Sequence, residues 1–549
     1  MRRILPLATA VTLSLATICA PAQDMRLPDI GSSAGELLSP AQQEQYGAML
    51  LAQLRHYEYV LEDPLIDSWV DTMGSRLAAN SDRPEQPFTF FMLRDRQINA
   101  FATLGGYIGL NAGLVLASER EDEVAGVLSH EIAHVTQHHV LRAVERAQRD
   151  QLPILLAMLG AIAAAQAVGG SSSGNATQAA MVGAMGLLQQ RQINYTRSNE
   201  QEADRLGIRT LSRSDYDPTA MADFFVTMQA KSRTNAASYY DDLIPEYLRT
   251  HPMTSMRITE AKQRAEQISR DNRNGQVCVR DPEGPDQCRQ DGSGRPRYDT
   301  EGSRNPLLPW NLRPDLTATR SGSTGHYELA RERLRVLSAN TPDAAVSEYD
   351  GIARNKPLTE AQQYGRSIAL LRAGKTREAA NALSGLLDAR PGDTWVTLGL
   401  AEAEARSGQH DSADARFEAL LRQSPDDRPT ALTYARMLAE RNTPEAGRRA
   451  QAVLRPLLSR SGEDPGFQAV FARACEIAGD EIRAGEAYAE AAYLNGRPEM
   501  ALARLNILKK RDDLDYYARA RIESRIAAIT PIVLELRRQG IRDEDLRRR

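Results

Sequence analysis

The C-terminal part of the chain repeats every 34 residues. Pro357, Pro391 and Pro425 keep this interval, and a later unit has glycine, alanine and aromatic residues in matching order. Small residues let paired helices approach closely, and proline ends the second helix of a pair. The period therefore predicts a stack of helix pairs. The other positions that keep the interval or its order are Ala345, Ala379, Ala413, Gly374, Gly408, Tyr349, Leu383, Phe417, Gly479, Ala484 and Tyr488.

A 34-residue period of this kind resembles the tetratricopeptide repeat, although the usual Trp-x2-Leu-Gly signature is out of register. The resemblance implies an all-α, right-handed solenoid over residues 326–549 with a concave face for protein partners. Aromatic residues make up only 5% of the chain, and alanine and arginine are frequent, which favours helix over sheet. The formal net charge of -4 gives no indication of a nucleic-acid partner.

Residues 1–22 have the pattern of a secretory signal peptide. Arg2 and Arg3 precede the apolar stretch from Ile4 to Ile18, and Ala20-Pro21-Ala22 fits a small-x-small cleavage site. We expect export and cleavage after residue 22; the alternative is an uncleaved anchor.

Residues 23–270 are predicted to form a mainly α domain with a small β-sheet. Helical periodicity runs from Ser39 to Ala79. A strand-like segment from Pro87 to Leu93 precedes a hairpin pattern, in which Ile98–Thr103 and Tyr107–Leu110 flank a Gly-Gly turn. Ser118-x-x-Glu121 is a capping-box pattern that predicts the start of the next helix. A polar helix is expected at about Ser198 to Leu211.

Two apolar runs lie between these elements, Leu152–Val168 and Ala176–Leu188. Each is shorter than the roughly twenty residues of a spanning helix. A packed helical hairpin is one interpretation. The others are a flap that covers the active site or makes peripheral membrane contact, and a pair of spans in an integral membrane protease.

Residues 271–325 are rich in Gly, Pro, Asp and Arg, which predicts a linker or extended wrap. Cys278 and Cys288 in this stretch are close enough for a local disulfide, since an exported protein folds under oxidising conditions. Cys475 is expected to be a small buried residue of a repeat helix.

The sharpest chemical motif is His130-Glu131-Ile132-Ala133-His134. On a helix, residues i and i+4 share one face, so the two imidazoles can bind one metal ion. Glu131 lies beside them, where it can take a proton from a water that the metal activates. Because zinc takes three protein ligands and keeps a position open in catalytic sites, a third ligand must come from elsewhere. His138 and His139 are expected to form a solvated helix end.

Glu200 and Asp204 are a candidate source of the third ligand, since they too are spaced i and i+4. Glu200 can ligate the metal while Asp204 supports a ligand histidine from outside. The alternative is an ordinary solvated helix face.

His130-Glu131-x-x-His134, followed about seventy residues later by Glu200-x-x-Ala203-Asp204, resembles the family of the CAAX prenyl protease and the bacterial heat-shock membrane protease. With an export signal and C-terminal repeats, the chain is similar to the beta-barrel assembly-enhancing proteases of the Gram-negative periplasm. The resemblance implies a gluzincin-like α+β metallopeptidase with one Zn²⁺ on His130, His134 and Glu200. Glu131 would be the general base and Asp204 an outer partner.

Three further features follow from the resemblance. Asn99, Ala100 and Phe101 match a strand whose edge can add an extended substrate. His251-Pro252 matches a histidine implicated in gating, so His251 could take the fourth position on zinc; otherwise it is a loop histidine. Arg257 either pairs with an acidic residue or steadies a developing oxyanion.

Two functions are therefore expected. The first is a periplasmic zinc endopeptidase that degrades misassembled outer-membrane proteins, with no covalent acyl-enzyme because water is the nucleophile. The second is an assembly chaperone that contacts the outer-membrane assembly machinery through its repeats, with a minor or latent peptidase.

Overall fold

The computed structural model describes residues 38–143, 145, 196–235, 247, 251–252, 254–274, 277–279, 287–289 and 323–538. The predicted signal peptide, the apolar runs of 152–188 and most of the 271–325 stretch lie outside these residues. Within the described ranges, no helix combines the length and the hydropathy needed to cross a bilayer.

The helical stretch predicted from Ser39 to Ala79 consists of two helices, α1 (Pro40–His56) and α2 (Pro64–Ala79). Both begin with proline at the first helical position, behind a capping side chain. Ser39 forms a capping box with Gln42, and the Asp63 carboxylate accepts a hydrogen bond from the backbone N–H of Ile66. Helix α2 is the more buried of the two, with Ile66, Trp69, Val70, Met73 and Leu77 in the core.

The predicted small sheet is confirmed as three mixed strands in the order β1-β3-β2. Strand β1 (Thr89–Leu93) runs parallel to β3 (Tyr107–Asn111), and β2 (Ala100–Ala102) pairs antiparallel with β3 as the hairpin pattern predicted. Gly105 and Gly106 both have positive φ in the turn between β2 and β3. The turn needs glycine at position 106, because a Cβ there would lie 2.2 Å from the Pro87 carbonyl oxygen. Strand β2 thus lies at one edge of the sheet.

The capping box predicted at Ser118 is wrong. The Ser118 hydroxyl donates to the carbonyl of Leu114 and so closes the short helix α3 (Ala112–Ala117). Helix α4 (Glu121–Thr136) starts after Arg120 without a side-chain cap, and three acidic residues in its first turn face the positive end of the helix dipole. The Glu121 carboxylate instead accepts hydrogen bonds from Ser323 and Thr324, just before the repeats.

Three more helices complete this part of the molecule: α5 (residues 196–213), α6 (Ala220–Asn235) and α7 (Ser255–Asn274). The predicted polar helix lies within α5. The stretch expected to be a linker also contains a short antiparallel pair, β4 (Val277–Val279) and β5 (Gln287–Arg289). Their register sets Cys278 opposite Cys288.

The predicted helical repeats are confirmed. The alanines that keep the 34-residue interval are fully buried in the second helices of successive pairs, and Gly374 and Gly408 have positive φ between paired helices. Cys475 is buried and free, as expected. The helices are α8 (Tyr327–Leu337), α9 (Pro342–Asn355), α10 (Glu360–Arg372), α11 (Thr376–Ala389), α12 (Thr394–Arg406), α13 (His410–Gln423), α14 (Arg428–Glu440), α15 (Pro444–Leu454), α16 (Pro465–Ala478), α17 (Glu481–Leu494), α18 (Pro498–Leu508) and α19 (Tyr516–Arg538).

The repeats pack directly on the N-terminal part through helix α2, which contacts α8 and α14. The Trp69 indole N–H donates to Thr324, and its ring lies 6.4 Å from that of Tyr327. The buried Arg333 guanidinium binds the Asp63 carboxylate through two hydrogen bonds of 2.8 and 2.6 Å. Removing one partner of such a buried pair costs about 3–5 kcal/mol, so this contact fixes the repeats against α2.

A second acid of α2, Asp67, is held less favourably. Burial, together with repulsion from Asp63 and Asp464, outweighs the attraction of Arg428 at 3.6 Å and raises the pKa of Asp67 to about 7. In an unfolded chain an aspartate has a pKa of about 3.9. Between these pH values the folded chain binds a proton that the unfolded chain does not. The free energy of unfolding therefore falls as pH rises through this window.

We predict that Asp67→Asn stabilises the protein above pH 7 and has little effect below about pH 4. Asparagine cannot ionise, so the variant loses the destabilisation that grows between these values. Because 33% of the Asp67 side chain is exposed, solvent screens part of its charge. We therefore expect the free energy of unfolding to rise by about 1 kcal/mol and Tm by about 2 °C. Thermal unfolding of both proteins from pH 4 to pH 8 measures this. Asp512→Asn, an exposed carboxylate, is the control, and an unchanged or lower Tm of Asp67→Asn at pH 8 would contradict the prediction.

Candidate metal centre

Helix α4 sets two imidazoles and a carboxylate in the core. His130 is fully buried, Glu131 is 1% exposed and His134 is 9% exposed. The Nε2 atoms of His130 and His134 lie 3.0 Å apart, one helical turn from each other. Two rings on the same face thus direct their nitrogens to one point.

Helix α5 approaches α4 closely because small residues separate the two helices. Ala133 and Ala203 form a small buried cluster with Leu206. A Cβ at Gly207 would lie 3.1 Å from the backbone nitrogen of His130, which is closer than an ordinary contact. This approach brings the start of α5, with Glu200, to the two histidines.

The Glu200 carboxylate completes a set of converging donor atoms. Its two oxygens lie 3.5 Å from His130 Nε2 and 3.4 Å from His134 Nε2. Ligands at about 2.0–2.1 Å in a tetrahedral zinc site lie roughly 3.3 Å from one another, so this spacing suits such an ion. Together with His251, these residues form the group that could hold a metal ion, with one donor atom from each lying within 4.8 Å of the others.

His251 lies on the far side of the same point. Its Nδ1 is 3.0 Å from Glu200 and 3.3 Å from His130 Nε2, and its Nε2 is 3.5 Å from Glu131 Oε1. The Tyr247 ring stacks on the imidazole with centroids 4.6 Å apart. His251 is therefore the fourth donor of the cluster, and it lies between Glu200 and Glu131.

Asp204 and Arg257 surround the ligand group. Asp204 Oδ1 lies 3.0 Å from His130 Nδ1, the nitrogen that faces away from the cluster. The Arg257 guanidinium donates to both oxygens of Asp204, at 2.7 and 2.8 Å, and lies 2.8 Å from Glu200. Arg257 thus contacts both carboxylates, and it is not among the residues that line the groove beside the cluster.

The charges of this cluster suit a cation. Burial opposes ionisation of Glu200 and Asp204, but interactions with His130 lower the pKa of both carboxyl groups, together with contacts of Glu200 with His251 and of Asp204 with Arg257. Burial likewise opposes protonation of His130, yet these two carboxylates raise its pKa to about 10. Burial and the neighbouring His130 lower the pKa of His134 well below its usual value, which keeps its nitrogen lone pair available. A metal ion would replace the proton on His130.

His139 was expected to be a solvated helix end, and that expectation is wrong. It is 3% exposed, its Nδ1 lies 3.0 Å from His134 Nδ1, and its Nε2 lies 3.2 Å from Glu202. The reason is the backbone at His138, where φ is 54° and the chain turns back after α4. His138 instead contacts Arg83 at 2.7 Å. Helical periodicity cannot reveal such a turn, so His139 and Glu202 were missed as residues that orient His134.

A groove of about 580 Å³ opens beside the cluster. Glu131, His134 and His251 of the cluster line it, and apolar side chains form much of the rest of its wall. The buried Oε1 atom of Glu131 has no hydrogen-bond partner among the described residues. The other residues along the groove are Leu54, Tyr59, Leu93, Asp95, Asn99, Phe101, Ala102, Asn111 and Val140. The predicted strand residues Asn99 and Phe101 thus line the groove, and Ala100 is buried in β2.

Comparison with known proteins adds an independent line of evidence. Residues 64–265 match peptidase family M48, and residues 370–437 match the tetratricopeptide repeat family. The chain is 30% identical over 514 residues to the beta-barrel assembly-enhancing protease of Yersinia pestis, covering 92% of each chain.

Two further relatives agree with this assignment. The beta-barrel assembly-enhancing protease of Escherichia coli K12 is 29% identical over 508 residues, which cover 91% of this chain and 90% of the relative. A putative protease of the same name from Vibrio cholerae is 41% identical over 273 residues, which cover 48% of this chain and 53% of the relative. The chain therefore belongs to the family of the beta-barrel assembly-enhancing proteases, M48 metallopeptidases that carry tetratricopeptide repeats.

Proposed function

We propose that the protein is a periplasmic zinc endopeptidase that degrades misassembled outer-membrane proteins and assists their assembly. The observation that carries the peptidase activity is the convergence of His130, His134 and Glu200 beside the carboxylate of Glu131. The relatives' names support the assembly role, since they describe proteases that enhance β-barrel assembly.

The ligands of one zinc ion would be His130, His134 and Glu200. Two imidazoles and one glutamate, with a further position for water, make up a common catalytic zinc site. Asp204 orients His130 through Nδ1, and His139 orients His134 in the same way. Arg257 holds Glu200 and Asp204 at the same time, so its role is positioning.

A zinc ion in this site would polarise the scissile carbonyl group and lower the pKa of a water molecule. Glu131 accepts a proton as that water attacks the carbonyl carbon, and then donates it to the leaving amine nitrogen. Its unpartnered Oε1 atom is available for both transfers. No side chain forms a bond to the substrate in this scheme.

An extended substrate would lie in the groove along the edge of β2. Antiparallel addition to this edge supplies main-chain hydrogen bonds whatever the substrate sequence, which suits an enzyme that acts on unfolded chains. Asn99 Oδ1 is buried without a hydrogen-bond partner among the described residues, and it lines the groove. It can accept a hydrogen bond from a substrate N–H.

His251 would act as a gate. Its imidazole lies between Glu200 and Glu131, in the volume that the attacking water needs. While it stays there, the peptidase is held off. The enzyme becomes active when His251 and the stacked Tyr247 move aside.

We predict that Glu131→Gln abolishes cleavage of casein but retains one zinc per chain. Glutamine keeps the size of the side chain but cannot accept the proton, so kcat should fall by at least about 100-fold. Zinc content by mass spectrometry and casein hydrolysis are the measurements. Glu119→Gln, an exposed carboxylate just before α4, should behave like the wild type. Unchanged turnover by Glu131→Gln would exclude this mechanism.

The same variant separates the two roles. Glu131→Gln should fail to clear a misassembled outer-membrane protein from cells that lack the native chain. If it nevertheless restores their outer-membrane assembly fully, the assembly role does not require the peptidase. If the variant restores neither the clearance of the misassembled protein nor outer-membrane assembly, both roles depend on catalysis.

We predict that Asp204→Asn weakens zinc binding by about 10- to 100-fold, because His130 loses the carboxylate that orients its ring. Competition with a fluorescent zinc chelator measures the dissociation constant. Asp95→Asn, which changes a groove carboxylate outside the ligand cluster, is the matched control. Equal affinity in Asp204→Asn and wild type would show that Asp204 has no part in the site.

We predict that His251→Ala raises the rate of casein cleavage several-fold without loss of zinc. Removing the imidazole clears the fourth position, while Arg257 still compensates Glu200. His251→Asn, which keeps a polar group there, should raise the rate less. A rate for His251→Ala at or below that of the wild type would overturn the gate.

A further inference from the structure

A second cavity, of about 360 Å³, lies between the chain around Asp63 and the repeats. We call it the repeat cavity. The first helices of four successive pairs line it, namely α8, α10, α12 and α14. It shares no lining residue with the groove at the metal centre. Its lining residues are Glu62, Asp63, Pro64, Arg333, Leu337, Ile368, Leu371, Arg372, Glu402, Arg406, Thr433, Arg436 and Met437.

Each of the three acids that line the repeat cavity already has an arginine partner. Asp63 binds Arg333 at 2.6 Å, and Glu402 binds Arg406 at 3.2 Å. Glu62 lies 3.6 Å from Arg55, which is outside the cavity lining. The internal carboxylates of the cavity are thus matched.

Two arginines of the lining, Arg372 and Arg436, are attracted by Asp63 but lie outside ion-pair distance of it. In the part of the chain that the structure describes, neither Arg372 nor Arg436 forms an ion pair, and Arg372 is exposed. Partial burial and the nearby guanidinium groups of Arg94 and Arg333 lower the pKa of Arg372. The attraction of Asp63 and Glu402 offsets only part of this lowering. The lining therefore holds four arginines against three acids, an excess of one positive charge.

The same wall already binds a carboxylate. Arg333 forms a two-point contact with Asp63, and Tyr364 accepts a hydrogen bond from the same guanidinium. Arginine forks match planar carboxylates in this way. Arg372 on α10 and Arg436 on α14 line the same cavity. Apolar side chains such as Leu337, Ile368 and Met437 lie between the charges, which suits a carboxylate attached to an apolar residue better than a free inorganic anion.

We propose that the repeat cavity binds a carboxylate group of a polypeptide through Arg372 and Arg436. The carboxylate comes from a chain end next to an apolar residue or from an acidic side chain in an apolar segment. This site is separate from the peptidase site and does not depend on cleavage. It gives the repeats a defined chemical preference for the chains they hold.

The test uses the full-length chain with the Glu131→Gln substitution, so that peptides stay intact. The probe is Ala-Ala-Ala-Leu-Phe with a free C-terminal carboxylate and an uncharged BODIPY dye on its N-terminus. The same peptide with a C-terminal amide carries no carboxylate. Ala-Ala-Asp-Leu-Phe with a C-terminal amide carries a carboxylate only on its side chain, so the three peptides distinguish a chain end from an acidic side chain. Fluorescence anisotropy gives the Kd of each. We expect the carboxylate peptides to bind at least 10-fold more tightly than the neutral amide.

Arg372→Gln and Arg436→Gln should each weaken binding of the preferred carboxylate peptide about 10-fold and leave the neutral amide unchanged. Arg372→Lys keeps the positive charge but not the two-point hydrogen bonding of the guanidinium group, so it should weaken binding less than Arg372→Gln. Arg377→Gln, an exposed arginine of α11 outside the cavity, is the control. Unchanged far-UV circular dichroism and Tm show that each variant is folded.

Equal binding of acidic and neutral peptides would overturn the proposal, and so would full carboxylate binding by the Arg372→Gln, Arg436→Gln double variant. No binding of any probe up to millimolar concentration would do the same. Because the experiment does not read cleavage, failure here leaves the peptidase proposal standing, and failure of the peptidase leaves this one standing.

Discussion

The buried guanidinium of Arg257 is the interaction on which the metal centre depends. Two carboxylates, Glu200 and Asp204, lie in the core within reach of each other, and burying both without a counter-charge would cost several kcal/mol. Arg257 binds both at once, at 2.7–2.8 Å, and so fixes α7 against α5. With α5 held, Gly207 and the small residues beside it bring Glu200 to the histidines of α4. The metal-binding side chains are thus held together because the positive charge of Arg257 compensates the two buried carboxylates.

A similar principle joins the two parts of the chain. Asp63 and Asp67 at the start of α2 face Arg333 and Arg428 of the repeats, but the two pairs differ in quality. Asp63 is hydrogen-bonded to Arg333 through both carboxylate oxygens. Asp67 lies 3.6 Å from Arg428 and is repelled by other acidic residues nearby. The first pair therefore fixes the docking, and the second makes it sensitive to pH. At this contact, acidic residues of the N-terminal part lie against arginines of the repeats. The arginines there outnumber the acidic residues of α2 that could pair with them.

The sequence was sufficient wherever the determinant is periodic or local. The 34-residue interval predicts helix pairs because each unit must bury the same small residues against its neighbour. The i and i+4 spacing predicts that His130 and His134 share one helix face, because it is close to one turn of the helix. Contacts made across long sequence separations could not be read in this way. The pairing of Asp63 with Arg333 spans 270 residues, and the turn that buries His139 depends on one left-handed residue. The Ser118 capping box failed because the hydroxyl had a nearer carbonyl to bind, in the helix before it.

The two cavities are linked by a short stretch of chain. Tyr59 lines the groove at the metal centre, and Glu62 and Asp63 line the repeat cavity, only three and four residues later. Backbone hydrogen bonds from Leu61 to Met92 and from Arg94 to Tyr59 fix this stretch along β1, so it cannot move independently of the sheet. A carboxylate bound by Arg372 and Arg436 would repel the nearby Asp63, at the end of the segment that also lines the groove. The place where the repeats hold a chain and the place where it would be cut therefore share one structural element.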